Sequence, residues 1–176
     1  MTASDFTHLD RSGHVRMVDV TDKEPTVRSA TARGFVRCSP RVVEALGDRA
    51  VPKGDVFAAA RIAGIAGAKR TAELLPLAHI IGVHGATVDL SLTAEGVQLR
   101  ATVRTADRTG VEMEALTAVS VAALSIVDMV KGIDKGVAIE RIELVEKTGG
   151  KSGMWRRPSD QSSPLTGAIP TIPVED

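Results

Sequence analysis

Tyrosine is absent from this sequence, and the other aromatic residues are Phe6, Phe35, Phe57 and Trp155. Single-stranded nucleic acid is held largely by stacking bases on aromatic rings, and these scattered rings cannot furnish one such sheet face. A base or pterin bound here must be held mainly by hydrogen bonds and aliphatic contacts. Cys38 is the only cysteine, which excludes an intramolecular disulfide and a thiolate zinc site and fits a reducing compartment. His8, His14, His79 and His84 are too scattered to suggest a metal cluster. No charge of either sign is in excess. The 22 basic residues balance the 22 acidic ones, so no global field recruits nucleic acid or an anionic membrane, and anion affinity must come from local clustering. The N-terminus lacks a basic patch followed by an apolar core, and the uncharged stretch at 115–127 is too short to span a bilayer. These features predict a cytoplasmic protein with no membrane partner.

What is present suffices for one core. At 176 residues and 43% hydrophobic content, the chain predicts a single domain over 15–153. A flexible segment is expected at 1–14 and a disordered tail at 154–176, where Pro158, Pro164, Pro170 and Pro173 interrupt a Ser- and Gln-containing stretch. Val27 to Arg37 reads as a strand, and Ser39-Pro40 offers an N-cap and first-turn proline for a short helix closed by Gly47. Asp55 caps a second helix, from Val56 to about Thr71, kept slim by its alanines and glycines, so that another element can approach closely. Val88, Leu90 and Leu92 alternate with polar residues, as do Val97, Leu99, Ala101 and Val103, and the two runs form a hairpin about Thr93-Ala-Glu-Gly96. A long helix starts near Thr109 and ends near Gly132, and Ala138 to Lys147 is a last strand with imperfect alternation near Ile139 and Ile142. The order strand, helix, strand, strand, helix, strand predicts an α+β fold: a ferredoxin-like antiparallel sheet with helices packed on one face. A short leading strand near Val15 to Val20 is added.

The long helix has an informative charge layout. Glu112 and Glu114 open it, no charge follows until Asp128 and Lys131, and a helix with such a middle is buried on nearly every side. Proton-transfer groups would then stand at the two edges of a packed core. Each group also has a plain structural reading. Thr109 and Glu112 have capping-box spacing, and Asp128 with Lys131 can form an i, i+3 ion pair. Three stretches, Lys53-Gly54-Asp55, Lys69-Arg70-Thr71 and Lys147-Thr-Gly-Gly-Lys151-Ser-Gly, put amines beside small or capping residues, where ammonium and backbone N–H groups reach one phosphate. The last is no P-loop, because Val145 stands where that motif needs glycine and no helix follows.

Taken in order, these segments resemble the cyclic pyranopterin monophosphate synthase family of molybdenum-cofactor biosynthesis. The resemblance runs over about residues 6 to 153 and is carried by Met17-Val-Asp-Val, Lys53-Gly-Asp-Val-Phe, Leu74-Leu-Pro-Leu-Ala-His79, Thr109-Gly-Val-Glu-Met-Glu-Ala-Leu, Asp128-Met-Val-Lys131 and Lys147-Thr-Gly-Gly-Lys-Ser-Gly. It implies a lyase that takes 3′,8-cyclo-7,8-dihydro-GTP, rearranges it to a pyranopterin and closes a cyclic phosphate with release of pyrophosphate. It assigns catalysis to Asp128, Lys131, Lys53 and His79. It assigns substrate contacts to Glu112, Met113, Glu114, Leu77 and Ala78, and triphosphate contacts to Arg28, Lys69, Arg104, Lys147 and Lys151. No resident cofactor is identified, and Mg2+ is admitted only as a companion of the triphosphate. Ala78 and Ile80 flank the histidine where the family usually has cysteine and proline. A ferredoxin-like small-molecule-binding module without catalysis is the competing class, and an RNA-binding domain is disfavoured by neutral charge and missing aromatics.

One consequence is geometric. Glu112 and Lys131 lie about 28 Å apart along a continuous helix, and Glu114 and Asp128 about 21 Å, at roughly 1.5 Å per residue. Groups at one reacting centre must lie within a hydrogen bond or a bridging water of the reacting atoms. If both helix ends line one pocket, as the resemblance implies, they come from different subunits. The assembly the resemblance implies is a homohexamer, a trimer of dimers, with the slim helix offering a packing surface.

Overall fold

The structure, a computed structural model, describes residues 12–158. The expected flexible segment therefore falls mostly, and the tail beyond Pro158 entirely, outside the described residues. Five strands and four helices follow in the order β1 (Thr26–Arg37), α1 (Pro40–Gly47), α2 (Val56–Lys69), α3 (Thr71–Leu74), β2 (Gly85–Thr93), β3 (Gly96–Asp107), α4 (Glu112–Val130), β4 (Ala138–Thr148) and β5 (Trp155–Arg156). The fold is α+β. One sheet in the order β2-β3-β1-β4-β5 has every neighbouring pair antiparallel. Helix α4 packs on β1, β3 and β4, while α2 packs on β2 and along α4.

Alternation sets which strand residues face the helices. Val97, Leu99, Ala101 and Val103 of β3 and Ala30, Ala32 and Val36 of β1 are buried against them. The imperfect alternation of β4 has a local cause. Between Phe35↔Glu140 and Arg33↔Glu143, two β4 residues, Arg141 and Ile142, oppose the single Gly34, and Arg141 takes a left-handed φ of 50°. Such a bulge resets the face, so Ile139 and Ile142 both reach the core. On the sheet face turned away from the helices, Arg33 donates to Glu143 at 2.7 Å and Arg37 to Glu140 at 2.8 Å.

Small residues let the two long helices meet. A Cβ at Gly64 would sit 2.8 Å from the Ala118 carbonyl oxygen, and one at Gly67 would sit 2.8 Å from Val121 Cγ2. The glycine face of α2 is thus used inside the chain against α4, rather than offered to another subunit. Ile126 of α4 is fully buried in the core. Truncating it to alanine would cost about 2–5 kcal/mol.

Four local expectations change. Residues 15–20 form no strand, only an isolated pairing at Val15. The second helix stops at Lys69, with the separate turn α3 after it. Helix α4 is not buried all round, since Leu124 is 58% and Met113 43% exposed. Its 19 residues do reach the length and apolarity of a membrane span, yet half of that window is buried within the fold. Finally, residues 154–158 are not a loose tail. Trp155 and Arg156 pair with β4, and Arg157 donates from N to the Val145 carbonyl at 2.8 Å and from Nε to the Leu144 carbonyl at 2.7 Å.

Candidate active site

Helix α4 begins without the capping box. Val111 occupies the N-cap position and no side chain caps the helix, so Thr109 does not play that part. Glu112 instead turns back over Gly110, where an added Cβ would collide with its carboxylate, and meets β4: Lys147 Nζ lies 2.9 Å from Glu112 Oε1. Glu114 is only 4% exposed. Burial pushes its carboxyl above the ordinary range, the Glu112 charge adds to this, and nearby His79 works against it.

His79 is carried by the irregular segment between α3 and β2. Its Nε2 lies 2.7 Å from the Val18 carbonyl oxygen, which can only accept, so Nε2 bears a proton and a neutral ring presents Nδ1 as its free acceptor. His79, Leu77, Ala78, Glu112, Met113 and Glu114 line a cavity of about 380 Å³, to which Val18, Val20 and Lys23 also contribute. Lys23 also borders a second space of about 510 Å³, lined by Arg28, Gly150 and Lys151. Gly149 and Gly150 take φ of 88° and 69°, which glycine adopts without a steric penalty. A Cβ at Gly150 would strike the Arg28 guanidinium, which is also fastened by Nε to the Asp107 carbonyl at 2.9 Å. The Gly-Gly turn therefore wraps Arg28 and leads to β5, with no helix behind it. Three cations, Lys23, Arg28 and Lys151, border one space together with the single carboxylate of Glu24, an excess of positive charge that suits a polyphosphate.

The other end of α4 carries a second cluster. Asp128 Oδ1 lies 2.6 Å from Lys131 Nζ, and its Oδ2 lies 3.0 Å from Lys53 Nζ. Lys53 also donates to the Asp128 main-chain carbonyl at 2.7 Å. Asp55 puts Lys53 there by capping α2, its Oδ1 accepting from the Ala58 amide at 2.9 Å. Hydrogen bonds from Lys131 and then Lys53 hold the Asp128 carboxyl below the ordinary range. All three side chains are open, at 48% to 59% exposure.

The predicted residues therefore fall into two groups at opposite ends of α4. Lys69, in the last turn of α2, lies toward the Glu112 end because α2 and α4 run antiparallel, but it lines neither cavity. Arg104 sits between buried Val103 and Thr105, so it projects from the sheet face turned away from the helices. Lys23 was not singled out from the sequence. A lysine in a short polar loop has no periodicity to mark it, and only its place soon after Met17-Val-Asp-Val could have flagged it. Cys38 is buried, which pushes its thiol up to about 11 and keeps it out of the chemistry.

Residues 17–150 match the MoaC family. The chain is similar to the cyclic pyranopterin monophosphate synthase of Streptomyces avermitilis, 60% identical over 152 residues covering 86% of this chain and 89% of the relative. It is also similar to the cyclic pyranopterin monophosphate synthases of Nocardioides sp., 56% identical with coverage of 87% and 96%, and of Chloroflexus aurantiacus, 52% identical with coverage of 88% and 96%.

Proposed function

The chain belongs to the MoaC family, and we propose that it carries out the cyclic pyranopterin monophosphate synthase reaction of molybdenum-cofactor biosynthesis. In this reading it converts 3′,8-cyclo-7,8-dihydro-GTP to the cyclic phosphate product and pyrophosphate. The observation that carries the proposal is the Asp128 carboxylate held between two ammonium groups, Lys131 and Lys53. An amine beside an ionised carboxylate can deliver a proton and take one back in a later step, which a multistep rearrangement requires. In the closing step a substrate hydroxyl oxygen bonds to the α-phosphorus while the bond to the pyrophosphate oxygen breaks. The hydroxyl proton passes to the Asp128–Lys131 pair, and the cations Lys23, Arg28 and Lys151 offset the charge of the departing pyrophosphate.

The two clusters work together only if subunits share the site. Helix α4 is continuous from Glu112 to Val130, so its ends are about 28 Å apart in one chain. The half-exposed Lys53, Asp128 and Lys131 suit a cluster completed by a neighbour's cavity with His79, Glu112 and Glu114. A homohexamer built as a trimer of dimers accommodates that arrangement. Mg2+ can accompany the triphosphate. No three His, Cys, Asp or Glu side chains gather into a metal site among the described residues, so no step is assigned to it. The reducing environment suggested by the lone buried thiol fits a cytoplasmic enzyme.

The test is a mass spectrum of products after incubation with the cyclised dihydro-GTP. The expected outcome is the cyclic phosphate together with an equimolar amount of pyrophosphate. Substrate that binds and is recovered unchanged would replace this reading with a binding module.

A further inference from the structure

His84 stands between the His79 segment and β2, and the reaction outlined above gives it no part. Its Nδ1 lies 3.0 Å from the Ala106 amide nitrogen. An amide can only donate, so Nδ1 accepts and a neutral ring carries its proton on Nε2. The His84 amide in turn donates to the Arg104 carbonyl at 3.0 Å. Two residues earlier, the Gly82 carbonyl accepts from Thr105 Oγ1 at 2.6 Å, and the Gly82 amide donates to Asp107 Oδ2 at 3.4 Å. The imidazole folds back over Gly82, where an added Cβ would come within 3.1 Å of Nε2.

Strand pairing between β2 and β3 ends at Gly85↔Arg104. Beyond it, residues 82–84 bond to the last four residues of β3 mainly through side chains; Val83 packs against the core, and His84 is the one residue of the segment whose own side chain hydrogen-bonds to β3. Only two residues then separate Gly82 from His79: Ile80 is 94% exposed, and Ile81 packs against the core. A shift of the 82–84 segment reaches His79 through this short link, and the one ring bond of His79 is the 2.7 Å contact with the Val18 carbonyl.

We propose that His84 is a positioning residue: by accepting the Ala106 amide it clamps residues 82–84 to β3 and so sets where the His79 imidazole stands beside Glu114. The catalytic part of this rests on the synthase reading above.

The test compares His84→Ala with His84→Asn, whose Oδ1 can accept where Nδ1 does. Amide exchange reads the clamp without any substrate. In His84→Ala the Ala106 and Gly82 amides should exchange about tenfold faster, the scale of one lost hydrogen bond, and His84→Asn should restore most of the protection. Turnover reads the consequence. The kcat of His84→Ala should fall about tenfold or more with KM little changed, and His84→Asn should recover it. Added to His79→Ala, His84→Ala should cost nothing further, because its effect runs through His79. Unchanged exchange in His84→Ala would overturn the clamp. Faster exchange with unaltered kcat, or losses that add fully in the double variant, would overturn the positioning role and leave the synthase reading intact. A wild type that releases no pyrophosphate would remove that reading and the catalytic role with it, while the exchange measurement would still decide the clamp.

Discussion

Lys147 Nζ on β4 lies 2.9 Å from Glu112 Oε1 at the first turn of α4, with the two side chains 30% and 24% exposed. The pair ties the sheet to the acid end of the long helix. It also means that Lys147 is already engaged, and a phosphate must compete with Glu112 for it.

Glu112→Gln should therefore release Lys147 to anions. Pyrophosphate should inhibit or bind this variant about two- to fivefold more tightly, since charge-assisted bonds outweigh neutral ones. Turnover should nevertheless fall, because the carboxylate is lost from the cavity. Unchanged pyrophosphate affinity, read by calorimetry, would place Lys147 outside the phosphate site.

Lys131→Ala should lose about 10² to 10⁴ in turnover with its melting temperature held, as the side chain is largely open. Mixing it with inactive Glu112→Ala under subunit-exchange conditions should restore activity. If each site takes one helix end from each of two subunits, about a quarter of randomly assembled sites are intact. No recovery despite proven exchange would sink the shared site.

Glu114 should give the fold a characteristic pH dependence. Burial raises its folded pKa, so the folded state favours the protonated acid. Its contribution to stability is complete below the ordinary carboxyl range and is lost as pH rises through the raised folded value. Glu114→Gln should flatten that part of the melting temperature against pH profile and be the more stable form at neutral pH. An identical slope in the variant would show that other carboxyls set it.

Two truncations separate the chain end from β5. Ending the chain after Pro158 keeps every described bond of Arg157, and both melting temperature and rate should stay as they were. Ending it after Gly153 removes the bonds from Arg157 to Leu144 and Val145 and its 3.3 Å contact with Glu143, and bares the edge of β4. At about 1 kcal/mol for each hydrogen bond, melting should fall by several degrees. A loss of stability in the chain ended after Pro158 as well would show that residues beyond 158 dock on the body.

Local chemistry made much of the fold legible in the sequence. Asp55 caps α2, the Val88 and Val97 runs alternate as a hairpin must, and Asp128 with Lys131 needs only a helix to become an ion pair, so each is determined by neighbours in the chain. The residues that the resemblance names stand at both ends of α4. Other features depended on partners far away in sequence. The capping box at Thr109 lost to an ion pair whose other half, Lys147, comes from β4, and nothing near Glu112 announces that strand. The bulge at Arg141 falls opposite Gly34, where an added Cβ would come within 2.6 Å of Val119 on α4, so that stretch is set by a helix far away in sequence. Residues 154–158 read as a loose, proline-flanked tail, yet the free edge of β4 offered unpaired carbonyls, and Arg157 took two of them. Lys23 gained its place only when the loop after Val20 folded against the Arg28 turn. A cap or a periodicity is decided within a few residues, where the chain itself brings the groups together. The pairing of a charge or a sheet edge is decided by whatever the whole fold carries alongside it.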